Sequence, residues 1–161
     1  MSKIYSFPAI VDQNSRILIL GSMPGVESLR KQEYYAHPRN QFWRIIFDLY
    51  QQPVPDNYQE KVSFLKAKGI GLWDVIESCY REGSSDAKIK QEKVNDIQGL
   101  LNEFPQIKRL YFNGTKAYDT YKRYFGFSTD LIYERLESTS PANTKSYARK
   151  LQDWSKIKRF C

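Results

Sequence analysis

The 161-residue sequence contains one histidine and two cysteines, and these scarcities remove several chemistries at once. His37 has no second histidine or His-Glu-His spacing around it, and Cys79 and Cys161 stand far apart without metal-ligand spacing. Two isolated cysteines give no disulfide framework and fit a reducing cytoplasm. A Ser-His-Asp triad would have to use His37, and no G-x-S-x-G elbow is present. The acidic residues are not clustered as two-metal nuclease work requires. No apolar run reaches the roughly 20 residues of a membrane span. The opening MSKIYSFPAIVDQNSRILIL lacks a basic-then-apolar leader with a small-residue cleavage site, which argues against export. The expectation is a cytoplasmic monomer without metal, cofactor or membrane association.

What remains is basic and aromatic. Twenty-five Lys and Arg against 18 Asp and Glu give a net charge of +7, with a pI near 9.3. Such a balance favours a polyanionic partner, because neutralising phosphates with counterion release drives sequence-independent nucleic-acid affinity. Simple solubility is the alternative. Aromatic residues make up 15% of the chain, with 12 Tyr, and supply either stacking surfaces or core.

Length and composition indicate one domain spanning 1–161. RILILG (16–21) reads as a buried strand stopped by glycine, followed by a loop over 22–39. NQFWRIIFDLY (40–50) is apolar on nearly every side, a helix to be buried, with Asn40 at its N-cap. Further helices are expected over 57–69, 94–104, 115–125 and about 145–160, and strands over 70–76, 107–114 and 131–136. The polar stretch 78–93 reads as a surface loop, and Asn113 as a turn residue. In the last helix Tyr147, Leu151, Trp154 and Ile157 share one face, with Lys145, Arg149 and Lys156 opposite. Strands alternating with helices specify an α/β fold: a mainly parallel four-stranded sheet with helices on both faces.

Ligands of such folds gather beyond the carboxyl ends of the strands, where three unusual stretches converge. GSMPG (21–25) is a tight turn able to bring backbone N–H groups to a ligand; it is neither a dinucleotide fingerprint nor a Walker loop. The middle strands end in LWD and FNGTK. STSPAN (138–143) sets three hydroxyls, a proline and an amide before a helix, which suits a phosphate or, equally, a plain N-cap. YYAHPRNQFW (34–43) adds the only histidine and Asn40 amid aromatics, as a helix cap or as one wall of a base-binding pocket.

In this order and combination the motifs resemble the uracil-DNA glycosylase superfamily over nearly the whole chain. The run GSMPGVESL…YYAHPRNQFW is most similar to its hypoxanthine-DNA (deoxyinosine) glycosylase branch, close to the mismatch-specific uracil enzymes. The resemblance implies a three-layer α/β/α sandwich and a metal-free glycosylase. Its substrate is DNA carrying a deaminated base, flipped into a pocket so that the glycosidic bond becomes accessible. The sequence departs from the mismatch-uracil pattern at Met23, where those relatives carry a water-positioning asparagine. Glu137 stands where a proline is expected, and the last motif opens without histidine. Hypoxanthine is therefore favoured over uracil, with a uracil or mismatch enzyme, or a non-catalytic DNA-binding relative, as the alternatives.

The resemblance assigns Asn40 to orienting the attacking water below C1′. The turn Gly21, Ser22, Met23 and Pro24 would line the substrate, with the backbone N–H groups around Ser22 and Met23 stabilising charge on the departing base. Tyr35 either stacks on the flipped ring or packs in the core. His37 either contacts substrate or is structural. Trp73 and Asp74 either read a base edge or serve as core tryptophan and helix cap. Ser138, Thr139, Ser140, Asn143, Lys145 and Arg149 are placed at the DNA backbone, with the loop around Arg81 and Lys88 as an alternative DNA face.

Overall fold

Four consecutive apolar residues ending in glycine cannot leave a polar face to solvent, so they form a strand covered on both sides. In the computed structural model, which describes residues 2–160, all five residues of Ile17–Gly21 are buried. In chain order the elements begin with β1 (Lys3–Tyr5), β2 (Ile17–Gly21), α1 (Val26–Lys31), α2 (Phe42–Leu49) and α3 (Tyr58–Ala67). Next come β3 (Ile70–Asp74), β4 (Ile76–Tyr80), a 3-10 turn (Asp86–Lys88), β5 (Lys90–Val94) and α4 (Ile97–Glu103). The chain closes with β6 (Arg109–Asn113), α5 (Thr115–Phe125), β7 (Ile132–Leu136), α6 (Tyr147–Trp154) and a 3-10 segment (Ser155–Phe160).

The central sheet has the order β3-β2-β6-β7, and every pairing in it is parallel. Alternate side chains of β2 feed separate cores. Ile17 and Ile19 pack with Phe42, Ile45, Ile46, Leu65 and Trp154 from α2, α3 and α6. Leu18 and Leu20 pack with Ile97, Leu101, Ala117 and Tyr121 from α4 and α5. The result is the α/β/α sandwich expected. The chain leaves β2 for β3 on one side and later reaches β6 on the other, so the carboxyl ends of β2 and β6 border a topological switch point. There no crossover helix covers the strand ends, and a crevice is left for ligand.

Three expectations fail. The stretch 78–93 is not simply a surface loop. It contains the end of β4 and most of β5, which pair with β1 in a second, antiparallel sheet of order β1-β4-β5. Ser78 and Cys79 are buried beneath it, Cys79 packing with Met23 and Ile76. The loop over 22–39 also contains α1. The burial of α2 is as expected, with Arg44 and Asp48 its exposed residues. The N-cap position falls on Gln41 rather than Asn40, whose Oδ1 accepts from Phe42 N–H at 2.9 Å. On α6, Trp154 is buried together with Ile157 just beyond it, and Tyr147 and Leu151 pack partly buried against the same core. Cys161 lies outside the described residues, and Cys79 is a buried free thiol. No helix among the described residues is long and apolar enough to cross a membrane.

Candidate active site

A cavity of about 1080 Å³ opens over the carboxyl ends of β2 and β6, bordered by Gly21–Ser28, Tyr34, Tyr35, His37, Asn40, Asp74, Asn113 and the segment Leu136–Asn143. Its size stands at the upper end of small-molecule pockets, about 300–1,000 Å³, and suits a nucleotide with part of its strand.

Its floor is set by Gly21. In the parallel ladder Gly21 lies opposite Asp74. A Cβ added to it would come within 2.6 Å of Asp74 Oδ1 and 2.7 Å of the Tyr35 hydroxyl. Glycine at this strand end therefore lets two polar groups approach the backbone. Asp74 is 3% exposed. Burial above all, then the negative charge of Asp86, pushes its carboxyl up to about 7, with Arg81 pulling the other way. Tyr35 holds a left-handed backbone at φ 55°, which costs an L residue about 1–2 kcal/mol. Its ring stacks on Phe42 with centroids 4.2 Å apart. Burial and the Asp74 charge raise its phenol, while the nearby Asn113 side chain pulls it down.

One wall is the turn His37–Asn40, closed by Asn40 N–H donating to the His37 carbonyl at 2.9 Å. His37 Nδ1 accepts from Arg39 N–H at 3.0 Å, which fixes the ring and gives His37 a structural task. Asn40 Oδ1 is held by Phe42 N–H, and Nδ2 has no hydrogen-bond partner among the described residues. The opposite wall is the loop after β7. Asn113 clamps it through both amide atoms, Nδ2 donating to Thr139 Oγ1 and Oδ1 accepting from Thr139 N–H, each at 3.0 Å. Lys150, 2% exposed, donates from below to Gln41 Oε1 at 2.8 Å and the Asn143 carbonyl at 2.9 Å. Burial draws its amine downward, opposed by the charge of Glu137. Gln41 N–H donates to the Thr139 carbonyl at 3.0 Å, joining the loop to the start of α2.

The expected site residues thus divide. Gly21, Ser22, Met23, Pro24, Tyr35, His37, Asn40, Asp74, Ser138, Ser140, Asn143 and Lys145 come together around the cavity. Trp73 does not, because its indole N–H is turned away to the Phe7 carbonyl at 2.9 Å. Thr139 borders the cavity but is wholly buried in the Asn113 clamp, so it supports the loop rather than meeting DNA. Arg149 stands exposed on α6 outside the cavity. Arg81 is buried and donates to the Pro24 and Gly83 carbonyls at 2.6 and 2.8 Å, so it offers no DNA face. Ser22 Oγ donates to Asp86 Oδ1 at 2.8 Å, bringing the loop after β4 over the GSMPG turn. Met23 is buried and points away from water chemistry into the Ile76–Cys79 cluster. Glu137 is neutralised by Lys145 at 2.8 Å, the main cause that holds its carboxyl below the usual range. The clamps by Asn113 and Lys150 escape sequence reasoning; their only signal there is an asparagine ending a strand and a lysine within an apolar helical face.

The family model described as the uracil DNA glycosylase superfamily matches residues 8–160. The chain is 41% identical over 156 residues to a hypoxanthine DNA glycosylase of Methanosarcina acetivorans, covering 95% of this chain and 96% of that protein. A hypoxanthine DNA glycosylase of Methanosarcina barkeri is 39% identical over the same coverage. A G/U mismatch-specific uracil DNA glycosylase of Schizosaccharomyces pombe is 29% identical over 104 residues, which are 63% of this chain and 30% of that one. In structure the chain is similar to a candidate uracil DNA glycosylase from Methanosarcina acetivorans, solved in solution by NMR. That match has a TM-score of 0.82 and 39% identity, and covers 98% of both chains.

Proposed function

The chain belongs to the uracil DNA glycosylase superfamily, and from that premise we propose that it is a monofunctional DNA glycosylase excising hypoxanthine from deoxyinosine. The observation that carries the reading is the convergence of the Asn40 amide, the Gly21–Pro24 turn, the Tyr35 ring and the 138–143 loop on one cavity at the sheet's switch point. A base stacked in duplex cannot reach such a cavity, so the nucleotide is flipped, at a cost of a few kcal/mol that is least for a mispaired base.

Each wall then has a task. Asn40, its Oδ1 fixed by Phe42 N–H, turns its remaining amide capacity toward a water below C1′. As the bond from C1′ to the base breaks, its electron pair leaves with the base. The water oxygen joins C1′, and an abasic site and free base result. Backbone N–H groups of Ser22 and Met23 border the position where the base gathers negative charge. Ser138 and Ser140, whose hydroxyls already accept from Ser140 and Ala142 N–H at 3.2 and 3.1 Å, keep O–H donors for a phosphate beside the lesion. Lys145 and Arg149 add positive charge on that side. Met23, buried where the mismatch-uracil relatives place a water-holding asparagine, supports a purine substrate. The reading is of a monomeric, metal-free, cytoplasmic enzyme, in line with the free thiol of Cys79.

The test is incubation with duplexes containing one deoxyinosine or one deoxyuridine, followed by alkali to cut abasic sites. Strand cleavage at deoxyinosine, unaffected by EDTA, is the expected result. Cleavage at deoxyuridine alone would reassign the substrate, and none at either would leave a DNA-binding relative without activity.

A further inference from the structure

The cavity floor holds two polar groups that the fold leaves without partners. Asp74 and Tyr35 both reach the point that a Gly21 Cβ would occupy, at 2.6 and 2.7 Å. Asp74 Oδ2 and the Tyr35 hydroxyl lie buried at this floor without a hydrogen bond among the described residues; the Asn113 amide beside Tyr35 has both its atoms engaged with Thr139. An unpaired buried polar group costs about 1–3 kcal/mol, and an unpaired buried charge costs more. Where such groups floor a ligand cavity, a ligand can supply the missing partner.

The charged neighbours do not supply it. Arg81, just beyond the end of β4, directs its Nε and Nη2 to backbone carbonyls, and its buried Nη1 makes no hydrogen bond to Asp74. Asp86 of the 3-10 turn carries the same sign as an ionised Asp74 and accepts from Ser22. From the other side stand Tyr34, whose hydroxyl donates to the Pro8 carbonyl at 2.9 Å, and His37, whose Nδ1 is bonded to Arg39 N–H.

We propose, resting on the glycosylase reading, that Asp74 works as an uncharged carboxylic acid whose O–H, together with the Tyr35 hydroxyl, donates hydrogen bonds to acceptor atoms of the flipped base. The pair is then a catalytic element as well as a recognition one. When the glycosidic electron pair passes to the base, two neutral donors face the anion, whereas a carboxylate would repel it. Asp74 keeps its proton throughout; the water gives its oxygen to C1′ and its proton ends on the released base. Burial and the nearby Asp86 charge prepare this state by holding the carboxyl protonated up to about neutrality.

The experiment is single-turnover excision from deoxyinosine-containing duplex between about pH 5.5 and pH 9, for the unmodified protein, Asp74→Asn and Asp74→Ala. The unmodified rate is expected to fall above neutrality with a slope approaching about tenfold per pH unit. Asp74→Asn, uncharged with an N–H donor at every pH, is expected to be slower at pH 6, to lack the alkaline fall and to overtake the unmodified protein by pH 9. Asp74→Ala is expected to be about 100-fold slower throughout. An unmodified rate that is flat or rises from pH 6 to 9, or an alkaline fall kept by Asp74→Asn, overturns the proposal alone. No excision by the unmodified protein at any pH overturns the glycosylase reading and the proposal together. Should Asp74→Ala not fold, the other two proteins decide the matter.

Discussion

Replacing Asp74 by asparagine should make the protein more stable at neutral and alkaline pH, although it alters the cavity floor. In the unfolded chain the carboxyl titrates near its ordinary 3.8, and in the fold it is pushed up to about 7. The folded state therefore holds a proton that the unfolded state has lost. Stability contributed by the protonated form is complete below the unfolded value and is lost as pH rises through the folded one. At about 1.4 kcal/mol per pH unit, the interval between those values amounts to about 4 kcal/mol, an upper figure because water entry and relaxation soften it. About 2–3 kcal/mol of this falls between pH 5 and pH 8. Asparagine fills nearly the same space, is neutral throughout and carries no such loss. Urea unfolding of both proteins at the two pH values isolates the effect, because the remaining titrating groups are common to them. The variant is expected to gain on the unmodified protein by about 1 M in midpoint on going from pH 5 to pH 8, for m-values of about 2 kcal/mol/M. Parallel stability curves, or a variant that loses ground at pH 8, would refute the buried-acid account of Asp74.

Gly21→Ala inserts a Cβ 2.6 Å from Asp74 Oδ1 and 2.7 Å from the Tyr35 hydroxyl; it should cost about 1–3 kcal/mol of stability and slow excision while sparing DNA affinity, read by thermal melting, single-turnover assay and gel shift. Lys150→Met removes the buried amine that joins Gln41 to the 138–143 loop. The orphaned acceptors should lower stability by about 1–3 kcal/mol, and excision should fall more than binding, as urea unfolding and the same assays report. Reversing Lys145, Arg149 and Lys156 together should flatten the slope of log K against log salt by about 0.9 for each DNA phosphate that is no longer neutralised. The effect should be smaller than for three free cations, since Lys145 and Lys156 are paired with Glu137 and Asp153.

What is legible in the sequence is whatever burial on both faces imposes. β2 and β6 carry unbroken apolar runs because helices cover both sides of the central sheet, and α2 is apolar around most of its circumference because it is buried. β4 and β5 read as loop because their sheet has one solvated face and a register broken twice between Ile76 and Tyr80, so no clean alternation survives. α1, six residues long, offers less than two turns of pattern. At the site, the motifs that border the cavity are visible as local strings. The clamps are not, because Asn113 meets Thr139 across 26 residues and Lys150 meets Gln41 across 109. Glu137 looks like a misplaced charge until its pairing with Lys145 is seen, and nothing local distinguishes Trp73, which turns away, from Asp74, which turns in.

The central claim is that this cavity hydrolyses the bond to hypoxanthine with Asn40 holding the water, and one substitution bears on it most directly. Asn40→Asp keeps an oxygen to accept from Phe42 N–H, so the turn into α2 is preserved, since Asp caps about as well as Asn. It replaces an amide that donates and accepts with a carboxylate that only accepts, and sets a negative charge near the departing base and the DNA. Single-turnover excision from a deoxyinosine duplex, on a protein whose melting temperature and DNA binding are first shown to be near normal, is the measurement. A loss of at least about 100-fold in rate is the predicted result; near-normal excision of hypoxanthine by the folded variant would contradict it and return Asn40 to the turn.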